Sequence, residues 1–291
     1  MRIPGLPGLL SRRPAPDVPV IGAPSIHHPI YLGVDAYGDP MRVTLAYRNL
    51  LLGGDPHSGK SCGMSNILGH AALSADVDLV LLDGKEVELS LWESLAVRFV
   101  GADVPDAIDC LRQVQDDMSM RYRLLRSVGL RKVPAGGPFR MVMVVVDELA
   151  MYLVTFGTKD EQKEFMVLLR DLVARGRAAG IVVVAATQRP SADIVPTSLR
   201  DLFAYRWALR CPNPDACDII LGAGWASSGH STHEIDPLCP GVGLLLAEGG
   251  VPRRFRAAYL TDDHIAELVR AGLALRGGLT VPSLSTDREA F

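Results

Sequence analysis

Unbroken apolar runs punctuated by helical stretches organise this chain. Residues 78–82, 141–146 and 181–186 are runs of Val, Leu, Ile, Met and Ala with no polar residue past their first position. Such runs predict strands covered on both faces, because a strand with one wet face alternates. Residues 42–52 predict a further strand, and 205–209 and 242–247 two more. Between them, 61–73, 106–128 and 163–179 carry helical spacing, the second stopping near Gly129 and the third at Gly180. Strands alternating with helices predict an α/β fold with a mostly parallel central sheet flanked by helices. No internal repeat is visible.

Composition adds limits. The chain has 291 residues, 48% of them hydrophobic, enough for one large domain. Residues 1–29 are rich in Pro and Gly and read as an arm or linker, 30–270 as the folded domain and 271–291 as a short flexible tail. No apolar run reaches the roughly 18 residues of a membrane span. The strongest candidate, 141–150, is interrupted by Asp147 and Glu148. The N-terminus is a poor signal peptide. The five cysteines have no metal-like spacing, which suits reduced thiols and a cytoplasmic location. A net charge of −3 announces no global affinity for nucleic acid.

The chemistry concentrates where strands end. Gly54-Asp55-Pro56-His57-Ser58-Gly59-Lys60-Ser61 fits G-x-x-x-x-G-K-[ST] between a strand and a helix. Glycines let successive N–H groups turn inward around phosphate oxygens, and the helix N-terminus adds positive potential. Lys60 supplies a full charge to the outer phosphates, the Ser61 hydroxyl ligates Mg²⁺, and Cys62 closes the loop. His57 stands where glycine is frequent in such loops. The run at 141–146 ends in Asp147-Glu148, two carboxylates at the carboxyl end of a buried strand. Asp147 is expected to hold Mg²⁺ through water, and Glu148 to activate the attacking water. The run at 181–186 leads to Gln188, whose amide suits either the γ-phosphate or the attacking water; a plain strand-end cap is an equal reading.

These pieces resemble the FtsK/SpoIIIE family of DNA-translocating ATPases. The resemblance rests on GGDPHSGKS (53–61), LVLLDGKEVELSLWE (79–93), MSMRYRLLRSVGLR (118–131), VVVDELA (144–150) and ARGRAAGIVVVAATQRPSADIV (174–195), with IYLGVDAYGDP (30–40) upstream. It implies a RecA-like P-loop NTPase that forms a ring, a hexamer, around double-stranded DNA, with each ATP site between subunits. Arg177 then matches the arginine a neighbour inserts at the transferring phosphoryl group, with Arg175 the second choice; the plain alternative is solvated charge at a helix end. The chromosome-moving members carry N-terminal membrane helices and a C-terminal winged helix, which these 291 residues do not match. The stretch is more similar to the short transfer proteins of actinobacterial plasmids and integrative elements. That implies conjugal or intercellular DNA transfer, with a membrane or transfer-complex partner that could hold the protein peripherally at the membrane.

Duplex contacts are expected from Arg200, Arg206 and Arg189, since a motor grips phosphates without regard to sequence. Arg121, Arg123, Arg126, Arg131 and Lys132 read as a solvated helix face. Residues 252–256 read as the polar side of a hairpin, and 229–233 with Cys239 as a flexible loop rather than a metal site. Two other readings remain: a protein-secretion ATPase of related fold, and an ATP-switched adaptor without motor activity.

Overall fold

The structure, a computed structural model, describes residues 24–277. In chain order the strands are β1 (Ile30–Val34), β2 (Pro40–Val43), β3 (Leu50–Gly53), β4 (Val77–Leu82), β5 (Ala96–Val100), β6 (Met141–Val146), β7 (Ile181–Thr187), β8 (Tyr205–Leu209), β9 (Val242–Ala247) and β10 (Arg253–Ala257). The helices are α1 (Lys60–Leu73), α2 (Val104–Ser127), α3 (Lys159–Arg175), α4 (Thr197–Arg200), α5 (Pro214–Leu221) and α6 (Asp262–Leu275). All strands join one sheet in the order β2-β1-β10-β9-β8-β3-β7-β6-β4-β5. The stretch from β8 to β5 is parallel, and β9, β10, β1 and β2 extend it antiparallel.

The unbroken apolar runs belong to the strands buried on both faces. Along β6, Val142, Val144 and Val146 enter one core, while Met141, Met143 and Val145 enter the other. The neighbouring β7 divides in the same way. The first core lies under α2, α3 and α5, the second under α1 and α6. At about 25 cal/mol per Å² of apolar surface, these two layers are the main source of stability.

Two expectations change. The strand foreseen at 42–52 is two strands, β2 and β3, separated in the sheet by four others. A turn at Tyr47 (φ 64°) and the Arg48 N–H bonded to the Leu45 carbonyl at 2.9 Å break the run. Arg121 is not solvated. It lies on the same α2 stripe as Val114, Met118 and Leu125, is fully buried, pairs with Asp117 at 2.8 Å and donates to the Arg140 carbonyl at 2.8 Å. Arg123, Arg126, Arg131 and Lys132 are exposed. Residues 252–256 lie on the polar side of a hairpin, as expected: β10 (Arg253–Ala257) pairs antiparallel with β9, and Arg253, Arg254 and Arg256 are exposed.

The packed region also overruns 30–270 on both sides. Ile26 is fully buried, and its N–H and the Ser25 hydroxyl both bind the Asp76 carboxylate. Beyond α6, Arg276 donates to the carbonyls of Ala71 (3.0 Å), Leu95 (3.2 Å) and Ser74 (3.3 Å). Residues 1–23 of the expected arm and 278–291 of the expected tail lie outside the described residues.

Candidate active site

The carboxyl ends of β3, β6, β7 and β8 meet at one edge of the sheet, where open α/β sheets bind ligands. The loop after β3 is braced from both sides: Gly54 N–H donates to the Thr187 carbonyl (3.2 Å) and Asp55 N–H to the Arg210 carbonyl (2.8 Å). Asp55 also pairs with the Arg210 guanidinium at 3.2 Å. Burial pushes its carboxyl above the usual range, against the opposing pull of Arg210. The loop then curls through Pro56, His57 and Ser58. His57 (φ 64°) and Gly59 (φ 99°) are both left-handed, which turns the chain into α1. Histidine is one of the few side chains that tolerates this region. Ser58 accepts from Gly241 N–H at 2.8 Å, so residues before β9 back the loop.

Lys60, only 3% exposed, opens α1 and reaches across to β6, donating to the Asp147 carbonyl at 2.8 Å and pairing with its carboxylate. Asp147 Oδ2 and the Ser58 hydroxyl are buried with no partner in the protein. An unpartnered buried carboxylate oxygen beside an ammonium is costly. Ser61 and Cys62 follow on the first turn of α1, both partly buried. Burial pushes the Cys62 thiol up, so it is a poor nucleophile.

Glu148 is held by three donors. Its Oε1 accepts from the Thr187 hydroxyl (2.8 Å) and Ala150 N–H (3.3 Å), and its Oε2 from Gln188 N–H (2.8 Å). Three donors occupy three of the roughly four lone-pair sites of a carboxylate, leaving one for a water proton. Gln188 follows β7 and its Oε1 accepts from Lys85 at 3.1 Å.

One group of expected residues thus converges: the loop 54–61, Cys62, Asp147, Glu148 and Gln188. Arg177 does not join it. It precedes β7, at the amino end of a seven-residue strand whose carboxyl end holds Gln188. At about 3.3 Å per residue the two ends lie on opposite edges of the sheet. Arg177 Nε donates to the Tyr47 carbonyl at 2.8 Å, and its side chain is 43% exposed with only a 3.9 Å approach to Glu248. Arg175 is clamped by Asp171 through two nitrogens.

The expected DNA contacts divide. Arg200 and Arg206 both turn onto Asp201, at 2.8 and 3.5 Å, and are mostly covered; only Arg189, paired with Asp193 at 3.5 Å, stands well into solvent. The loop at 229–233 is anchored, not loose: Thr232 is fully buried, and the Cys217 thiol approaches the His230 carbonyl at 3.7 Å. The sequence reading assigned no role to Thr187, Lys85 or Arg210. Each lies at the carboxyl end of a parallel strand, the same position that singled out Asp147, and a polar residue there after an apolar run was the available signal.

A family model described as FtsK/SpoIIIE family matches residues 23–137. The DNA translocase FtsK of Pseudomonas aeruginosa is 29% identical over 280 residues, covering 84% of this chain and 33% of that protein. FtsK of Pseudomonas putida is 28% identical over 279 residues, covering 82% of this chain and 32% of its own length. The chain therefore spans about a third of the relatives it matches. Among solved structures, the pCW3 conjugation coupling protein TcpA, in a monomer form with ATPγS, superposes with a TM-score of 0.69 at 20% identity, covering 84% of this chain and 70% of that one. The cytoplasmic domain of the Thermomonospora curvata type VII secretion ATPase EccC gives 0.69 at 19% identity, covering 92% and 32%. At these identities the two structures share the fold. No helix among the described residues is long and apolar enough to cross a membrane.

Proposed function

We propose that the chain is an ATPase motor of the FtsK/SpoIIIE family that moves double-stranded DNA, a reading supported by the family model over residues 23–137 and by the FtsK relatives. The observation that carries the reading is the division of the catalytic set. Lys60, Asp147, Glu148 and Gln188 gather at one edge of the sheet, and the half-exposed guanidinium of Arg177 sits at the opposite edge. A single copy has no arginine from this set at its own phosphates, and a second copy docked head to tail supplies one. Head-to-tail interfaces form a ring where the rotation between copies closes, and the ring proposed here is a hexamer.

In this reading the N–H groups of residues 54–61 and the Lys60 ammonium hold the ATP phosphates. Lys60 exchanges its contact with Asp147 for phosphate. Ser61 and the open Oδ2 of Asp147 hold Mg²⁺, which when bound neutralises charge on the phosphate oxygens. Glu148 takes the proton of the attacking water through its remaining lone pair, and Arg177 of a neighbour meets charge developing on the transferred group. Gln188 senses the γ-phosphate. The route served is conjugal or intercellular DNA transfer, with the motor on the cytoplasmic side of the membrane and held there by a transfer-complex partner.

A protein-secretion ATPase is the second reading, favoured by the equal TM-score of EccC; an adaptor that only binds ATP is the third. Steady-state ATP hydrolysis with linear duplex, with single strands and without DNA separates them. The motor predicts stimulation by duplex of any sequence. Basal hydrolysis indifferent to DNA favours secretion, and the absence of hydrolysis favours the adaptor. In the same assay Glu148→Gln should lose turnover by about 10²–10⁴-fold, the worth of a positioned general base, while still binding ATPγS. Unchanged turnover would remove Glu148 from the role of base.

A further inference from the structure

Gln188 is left with two possible tasks, to donate to the γ-phosphate or to accept from the attacking water. Its own surroundings choose between them. The carboxyl end of β4 lies beside that of β6, with Leu82 opposite Val146 and Asp147 N–H bonded to the Leu82 carbonyl at 3.0 Å. The residues that follow β4 therefore emerge next to Glu148. Asp83, fully buried, shapes them: Oδ1 accepts from the N–H groups of Lys85 (3.1 Å) and Glu86 (3.0 Å), and Oδ2 from that of Leu89 (2.7 Å). Glu86 is thereby held at φ 56°, and Lys85 stands outward, exposed.

From this base the Lys85 ammonium donates to Gln188 Oε1 at 3.1 Å. The contact bridges two loops, one after β4 and one after β7, that flank the strand carrying Glu148. Among the described residues Lys85 makes no ion pair. An ammonium has three donors and no acceptor, so it fixes which end of the amide faces it. With Oε1 held by Lys85, the NH₂ is the end of the Gln188 amide left without a side-chain partner among the described residues. The amide is then a donor, suited to a phosphoryl oxygen. The water's proton is left to Glu148, whose carboxylate is the stronger acceptor of the pair and keeps a free acceptor position.

We propose that Lys85 is a positioning residue for ATP hydrolysis, which locks the Gln188 amide with its NH₂ toward the γ-phosphate. This rests on the ATPase reading above and adds a residue and a polarity to it. The proposal makes Lys85 act through Gln188 and predicts that the two belong to one unit.

The test is kcat for ATP hydrolysis beside the affinity for ATPγS, in full-length wild type, Lys85→Met, Lys85→Arg, Gln188→Ala, Gln188→Glu and Lys85→Met/Gln188→Ala. Lys85 is exposed, so its replacements leave the core untouched. Lys85→Met should lower kcat by about tenfold or more, as loss of an orienting partner does, with ATPγS affinity within about twofold of wild type. Lys85→Arg keeps a donor and should retain most of the rate. Gln188→Glu keeps the acceptor for Lys85 but loses the NH₂, and should be as slow as Gln188→Ala. The double variant should be no slower than Gln188→Ala alone.

Wild-type kcat in Lys85→Met overturns the proposal. So does wild-type turnover in Gln188→Glu, which makes the acceptor the working end. Losses that multiply in the double variant overturn the shared unit, and an affinity loss matching the rate loss in Lys85→Met makes Lys85 a direct phosphate ligand instead. If the wild type itself hydrolyses no ATP with or without duplex, the ATPase reading falls and takes the role of Lys85 with it. A wild type that hydrolyses while Lys85→Met matches it sinks the lysine alone.

Discussion

Gly59 shows how little room the phosphate loop leaves. It sits at φ 99°, and a Cβ there would lie 2.3 Å from the Gly241 nitrogen and 2.6 Å from its Cα, both backbone atoms that cannot rotate away. Gly129, at φ 69°, has nothing within 4 Å of the same added atom. Alanine at Gly129 meets only the left-handed penalty of about 1–2 kcal/mol, expected to lower Tm by about 2–8 °C. Alanine at Gly59 meets that penalty and a backbone collision, so it should lower Tm further and abolish ATPγS binding. Thermal melts of the two variants, with and without the nucleotide analogue, check both parts. Equal losses at the two positions would mean that Gly241 yields to the intruding atom. At this scale the sequence was a good guide: glycine at 54 and 59, the lysine and the paired carboxylates sit where their pattern placed them. It was silent on Lys85, because the bond that gives that residue meaning joins positions 103 apart.

At the scale of elements, the segment before β1 is fastened by α1 and the turn behind it. His70, on α1, donates from Nε2 to the Ser25 carbonyl at 2.8 Å, and Ser25 and Ile26 bind Asp76. Burial holds the His70 imidazole below its ordinary value of 6.5, opposed by the Ser25 bond and Asp76. His27 is lowered too, again chiefly by burial. A base whose folded pKa is depressed binds fewer protons folded than unfolded as pH falls below 6.5. The stability these two histidines contribute is complete above that value and is lost on acidification through it. Tm should therefore drop between about pH 7.5 and about pH 5.5, and His70→Gln, which keeps a donor but cannot titrate, should flatten the drop. An unchanged slope would place the acid sensitivity elsewhere. The element-level errors share a cause. The break between β2 and β3, the 3-10 turn Gly176–Ala179 that ends α3 early, and the helix α6 all depend on partners remote in sequence. The capping box of Thr158 and Glu161 fixes where α3 starts, four residues before its apolar periodicity becomes evident.

For the whole molecule, the distance between Lys60 and Arg177 is the consequential fact. If an active site takes Arg177 from a second copy, Lys60→Ala and Arg177→Ala should each be inactive alone. Mixed in equal amounts, they should regain about a quarter of wild-type turnover, since one interface in about four then pairs an intact Lys60 with an intact Arg177. No recovery in co-assembled mixtures would remove Arg177 from the site. The sheet itself is asymmetric, with a parallel half that carries the candidate site and an antiparallel half of β9, β10, β1 and β2 that extends it.

What the sequence by itself determined is the local chemistry and the layer plan. Unbroken Val and Leu runs need cover on both faces, and G-x-x-x-x-G-K-S between strand and helix has one efficient conformation, so both are written in short windows. Only the tertiary structure decided that residues 42–52 divide between distant strands, that Arg121, Arg200 and Arg206 are engaged internally, and that Lys85 faces Gln188. Each of these depends on which strands become neighbours, and a chain's pairing partners are chosen by burial summed over the whole sheet rather than by the residues on either side.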